Sequence, residues 1–169
     1  APLTITANAG QHKVYGDIDP TLAYAVSGWK LSDDNSLLTG ALGRAAGKNV
    51  GNYAINQGSL LATSNYDISY IGADFAITPR TLTAIINAQN KVYDGSNSAA
   101  VTGVTFGNLV DGESLTASYT GGTYETKDAA SGIKVTVNGV GMTAGANALA
   151  ENYQLLTEVT TTADISKRQ

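Results

Sequence analysis

Cysteine is absent from the 169-residue chain, so no disulfide framework, thiolate nucleophile or cysteine-based metal site can be built from it. Histidine occurs once, at His12, which rules out a His-rich metal site; no Gly-x-Ser-x-Gly elbow accompanies it as part of a triad. His12 directly precedes Lys13-Val14-Tyr15 in a stretch that reads as a surface turn, and a solvated imidazole is the expectation there. Charge is scarce as well. Only 14% of residues are Asp, Glu, Lys or Arg and the net charge is −4, so the basic stripe needed by nucleic acid or by an anionic membrane surface is missing. No window approaches the roughly 18 to 20 consecutive apolar residues of a membrane span, so this fragment is not expected to insert into a membrane. The N-terminus lacks a basic-then-apolar secretory pattern, and any export signal or anchor is expected outside this sequence.

The chain holds a repeat. Leu3-Thr4-Ile5-Thr6-Ala7 returns as Leu82-Thr83-Ala84-Ile85-Ile86, and Lys13-Val14-Tyr15-Gly16-Asp17 returns as Lys91-Val92-Tyr93-Asp94-Gly95. Asn65-Tyr66 returns as Asn152-Tyr153, and Ile77-Thr78-Pro79-Arg80 as Ile165-Ser166-Lys167-Arg168. Four landmarks in one order at nearly constant spacing indicate two homologous modules, over residues 1–79 and 80–169. The second ends where the first handed over to its successor, which suggests a fragment of a longer array. The joint, Thr78-Pro79-Arg80-Thr81, is short and contains a proline that fixes φ, so a stiff connection and a rod-like pair are expected.

Alternation with period two recurs along both modules, the mark of half-buried strands. Tyr66, Ile68 and Tyr70 alternate with Asp67 and Ser69, and Ile133, Val135 and Val137 with Lys134, Thr136 and Asn138. Turn formers such as Tyr15-Gly16-Asp17, Asp94-Gly95, Asp111-Gly112 and Asn138-Gly139 separate the strands. The best helical windows, Leu37 to Ala46 and Ala144 to Glu151, are short and carry Gly or Asn. The expected fold is all-β: two tandem small antiparallel β-sandwiches of the immunoglobulin-like kind, with β-grasp-like modules as the alternative.

Chemistry-bearing constellations are few. Gly139-Val140-Gly141-Met142-Thr143-Ala144 fits a degenerate dinucleotide fingerprint, but no long helix or βαβ pattern follows, so the match reads as accidental. Asp17 with Asp19, and Asp33-Asp34-Asn35, carry oxygens that suit calcium; the spacing of an EF-hand loop is missing, and solvated turns are the expectation. The chain's nine Tyr and Trp29 could stack on sugars, although most tyrosines stand in the inward phase of their strands. Trp29 follows Ser27-Gly28 at a strand end, where it either caps the core or stands exposed, and it is the one candidate ligand contact. A covalent Lys–Asn staple is a further idea, because Lys13 and Lys91, and Asn65 and Asn152, hold equivalent positions. No catalytic residue, cofactor or metal is expected.

The first module, with Tyr15-Gly16-Asp17-Ile18-Asp19-Pro20, Val50-Gly51-Asn52-Tyr53-Ala54-Ile55, Asn65-Tyr66 and a closing Phe75-Ala76-Ile77-Thr78-Pro79, resembles the glycine-rich MBG modules. The second, through Tyr93-Asp94-Gly95, resembles the related YDG modules. The resemblance implies tandem modules of a filamentous-haemagglutinin-like bacterial adhesin, secreted or on the cell surface. It implies no catalytic residues; Tyr15 and Tyr93 are expected to bury their rings, with Gly16 and Gly95 relieving positive-φ turns. The function expected is that of a non-enzymatic stalk spacer projecting a distal binding region. The partners are then adjacent modules of the same chain, and the fragment is a monomer. The alternative is a module that binds a host glycan or surface protein through exposed aromatics.

Overall fold

The period-two pattern becomes strand almost throughout. The computed structural model describes residues 1–155 and 158–169, which divide into two compact units, Ala1–Pro79 and Arg80–Gln169. Neither helical window forms a helix: Leu37 to Ala46 holds the strands Leu38–Thr39 and Gly43–Arg44 behind a single 3-10 turn at Asn35–Leu37, and Ala144 to Glu151 runs from the end of a strand into a 3-10 turn at Ala150–Asn152.

In the first unit a three-stranded sheet runs in the order Tyr24–Ser27, Pro2–Ala7, Asp67–Ile71. A four-stranded sheet runs Gln11–Val14, Asp74–Thr78, Gly51–Asn56, Gly43–Arg44, and a two-stranded ribbon joins Leu38–Thr39 to Leu61–Ala62. Alternate residues of these strands turn inward, and Leu3, Ile5, Tyr15, Ile55, Leu60, Tyr66, Phe75 and Ile77 are buried. Each large apolar side chain so placed contributes roughly 1.5–3 kcal/mol relative to its exposed state.

The second unit is built on a five-stranded sheet in the order Lys91–Val92, Thr160–Ser166, Ala130–Asn138, Gly121–Tyr124, Ser98–Ala99. Tyr124, Ile133, Val135, Ala163 and Ile165 form one cluster on it. Val137 of the same sheet meets Val104 in a second cluster, against which Ile86 and Phe106 pack. The last three stand on the paired strands Thr83–Ala88 and Val101–Gly107.

Most strand pairs are antiparallel, as expected, but each unit also contains parallel pairs. Lys13 stands opposite Ile77 and Val14 opposite Thr78; in the second unit Lys91 stands opposite Ile165 and Val92 opposite Ser166. The repeat landmarks at the two ends of each module therefore meet side by side, in one register. The hydrogen bonds agree: Tyr15 donates its N–H to Thr78 at 2.9 Å and Tyr93 donates to Ser166 at 2.8 Å. A second parallel pair joins Pro2–Ala7 to Asp67–Ile71, and its shorter counterpart joins Arg80–Thr81 to Tyr153–Gln154. Alternation records which face a residue takes and carries no information about the direction of a neighbour more than 60 residues away, so these pairs were invisible in the pattern.

Candidate ligand-contact site around Trp29

Gly28 carries the chain out of strand Tyr24–Ser27 at φ +109°, and a Cβ there would stand 2.8 Å from the Pro2 carbonyl oxygen. The absence of a side chain thus lets the backbone hug the first strand and delivers Trp29 beside it. Trp29 is half-buried. Its ring meets Tyr66 edge-on, with centroids 4.8 Å apart and planes at 80°, and its Nε1 donates to Asn35 Oδ1 at 3.0 Å. Of the two alternatives for this residue, the capping position describes it better than full exposure.

Beneath Trp29 lies a hydrogen-bonded clamp. The Tyr66 hydroxyl donates to Asp33 Oδ2 at 2.7 Å and accepts the Lys30 N–H at 3.0 Å, while Asp33 donates its own N–H to the Lys30 carbonyl at 3.1 Å. The turn so closed holds Leu31 at φ +58°, fully exposed at its tip. Burial, then the bond to Asp33, raises the Tyr66 phenol above its ordinary range. The second unit repeats the device with other residues. The Tyr153 hydroxyl donates to Glu113 Oε2 at 2.6 Å and accepts the Val110 N–H at 3.1 Å, and Glu113 donates its N–H to Val110 at 3.0 Å. Burial, then Glu113, raises the Tyr153 phenol likewise. The recurring Asn65-Tyr66 and Asn152-Tyr153 pairs were the sequence signal for this clamp. Its other half does not repeat in the sequence, because Asp33 is replaced by Glu113 and Lys30 by Val110.

The acidic groups considered for calcium are occupied by protein partners. Asp33 takes Tyr66, Asp34 Oδ1 accepts the Ser36 N–H at 2.8 Å, and Asn35 takes Trp29. The Asp34 carboxyl is held below its usual range by the hydrogen bonds from Ser36. Asp19 lies 2.6 Å from Lys13 Nζ and accepts Arg44 Nε at 2.6 Å. Its pKa falls to about 2, chiefly through the Arg44 hydrogen bond and then that of Lys13. Among the described residues no group of three or more His, Asp or Glu could hold a metal ion.

The motif lysines, candidates for a staple to asparagine, are ion-paired to aspartates. Lys13 Nζ also donates to the Asp17 carbonyl at 2.9 Å; Lys91 Nζ donates to Asp94 Oδ1 at 2.8 Å and to the Ser96 carbonyl at 2.7 Å. Asn65 is exposed, with its carbonyl taken by the Ala1 ammonium at 2.6 Å, whereas Asn152 is buried. The lysines close the turns that follow them instead. Gly16 and Gly95 sit in those turns at φ +84° and +79°, as expected. Tyr15 is buried but Tyr93 is only half-buried, packed at the margin of the Tyr124 cluster with Lys127 over its ring at 6.0 Å.

His12 lies on strand Gln11–Val14, exposed, and not in a turn; its Nδ1 is 3.0 Å from the Gly10 carbonyl. The dinucleotide-like glycines run into strand Gly141–Ala144, where the fingerprint requires a helix. All nine tyrosines are buried or half-buried.

A family model described as the MBG domain (YGX type) matches residues 3–76, and one described as the YDG domain matches residues 78–163. No curated protein and no solved structure matches the chain.

Proposed function

For a chain that belongs to the YDG-domain family over residues 78–163 and carries an MBG domain ahead of it, we propose a structural role without catalysis. The two modules are spacers in the stalk of a large bacterial surface adhesin, secreted or held at the cell surface, and they project a distal binding region. Their partners are neighbouring modules of the same chain, and the pair is monomeric.

The observation that carries this reading is where the polar and aromatic groups are spent. Tyr66 and Tyr153 close turns, Lys13 and Lys91 close loops, and the one tryptophan caps its module with its N–H engaged. A binding surface for sugars needs flat aromatic faces open to solvent, and none of the nine tyrosines is exposed. That arrangement favours the spacer over the glycan-binding alternative.

Small-angle X-ray scattering on the 169-residue chain tests it. A radius of gyration on the order of 20–24 Å is expected for two sandwiches end to end, each about ten extended residues or more in length. A value of roughly 15–16 Å, that of one compact globule of this size, would overturn the spacer role.

A further inference from the structure

Asn138-Gly139 is the single Asn-Gly dipeptide in the sequence. Asn138 ends strand Ala130–Asn138 and Gly139 follows it in the turn at φ +63°; both residues are exposed. An asparagine side chain is attacked by the backbone nitrogen of the next residue only if that nitrogen can swing towards Cγ. A glycine lacks the Cβ that obstructs this approach and moves freely in φ and ψ. Other asparagines are placed less favourably. None of them precedes a glycine: Asn35 precedes Ser36, Asn147 precedes the buried Ala148, and Asn152 is itself buried.

We propose that Asn138-Gly139 is a site of spontaneous covalent modification in the folded protein, converting Asn138 through a succinimide to Asp and isoaspartate. Hydroxide removes the Gly139 amide proton, and the nitrogen bonds to Asn138 Cγ. The Cγ–Nδ2 bond breaks, and the leaving nitrogen takes a proton from water to depart as ammonia. Water then opens the ring at either carbonyl. Attack at Cγ gives Asp; attack at the former backbone carbonyl routes the main chain through the side chain and gives isoaspartate.

The surroundings distinguish the two products. Asn138 Nδ2 donates to Thr123 Oγ1 at 2.8 Å, and the Asn138 carbonyl accepts both the Thr120 N–H at 2.9 Å and the Thr120 hydroxyl at 3.1 Å. In the Asp product the Thr123 hydroxyl can turn to donate to the carboxylate, so the contact survives with its direction reversed. Isoaspartate inserts a backbone methylene where Asn138 stands opposite Gly121, which breaks the register of strand Gly121–Tyr124 against Ala130–Asn138. The isoaspartate form therefore loosens one end of the five-stranded sheet, and the Asp form does not.

The test is to hold the intact chain at mildly alkaline pH and 37 °C for weeks, natively folded and in parallel in strong urea, and to map its peptides by mass spectrometry. In the folded sample the peptide containing Asn138 should gain about 1 Da, the exchange of an amide NH2 for OH, ahead of every other asparagine. Enzymatic methylation specific for isoaspartate should label the same peptide. The gain should disappear in Asn138→Gln, whose longer side chain does not form the five-membered ring. Asn138→Asp should keep the wild-type melting temperature, which separates a benign Asp from a damaging isoaspartate in the aged sample. Modification confined to the urea sample, or reaching other asparagines first in the folded one, would overturn the proposal.

Discussion

Tyr66 places its hydroxyl 2.7 Å from Asp33 Oδ2, across 33 residues of sequence, and so ties the late Asn-Tyr landmark of the first module to an early turn. Tyr153 does the same to Glu113 in the second module, at 2.6 Å and a separation of 40 residues. In both, the one phenolic oxygen serves as donor to the acid and acceptor for the backbone, so a single atom bridges the two sides of a turn that a backbone hydrogen bond also closes.

Tyr153→Phe removes both bonds and leaves the Val110 N–H without its acceptor. A loss of about 1–3 kcal/mol in the second module is expected. Trp29 lies in the first module, so its fluorescence transition in urea should stay unchanged while the circular dichroism transition of the whole chain shifts. A shift in the fluorescence transition of equal size would show that the two modules unfold together.

Acid should destabilise both modules in one window. The folded-state pKa of Asp19 is depressed from 3.8 to about 2, chiefly by the Arg44 hydrogen bond; that of Asp94 is depressed to about 2, chiefly by the Lys91 hydrogen bond. A depressed carboxyl stabilises the fold above its unfolded pKa, and the contribution is lost as pH falls through the folded one. Stability from these two groups should therefore be level above about pH 4 and decline between about pH 4 and 2. In Asp19→Asn the first-module transition, followed by Trp29 fluorescence, should show a shallower acid limb than wild type.

Lys91→Met should release Asp94. With its strongest hydrogen-bond donor gone, the Asp94 carboxyl should titrate nearer the ordinary range, although Ser96 continues to donate to it. A carboxyl titration by NMR that left Asp94 at about 2 would show that Ser96 alone sets the value.

Two glycines at similar φ should respond differently to alanine. Gly95, at φ +79°, has no heavy atom within 4 Å of an added Cβ, so Gly95→Ala should cost only the left-handed backbone penalty, about 1–2 kcal/mol. Gly40, at φ +82°, would drive its Cβ into the Ser59 carbonyl, and Gly40→Ala should cost clearly more. Equal losses in urea titrations would mean that the Gly40 turn relaxes freely.

The core offers the largest single effect. Phe75 is fully buried, and Phe75→Ala should cost about 3–5 kcal/mol, confined to the first module and visible in Trp29 fluorescence.

Period two in Tyr66-Asp67-Ile68-Ser69-Tyr70 and in the segment Ile133 to Val137 determined by itself that the chain is all-β and which side chains turn inward. The Gly residues of the Tyr-Gly-Asp and Tyr-Asp-Gly strings likewise determined where the backbone takes positive φ. These are local properties, set by alternation of Cβ directions and by sterics within one or two residues. The repeat determined that each pattern is used twice. Only the tertiary structure decided that the ends of each module pair in parallel, that the motif lysines bind Asp19 and Asp94, and that Trp29 caps a tyrosine clamp. Each of these depends on which distant strand is the neighbour and in what direction it runs. That choice is made by burial of whole faces and by hydrogen bonds between segments tens of residues apart, for which no single stretch of sequence carries the record.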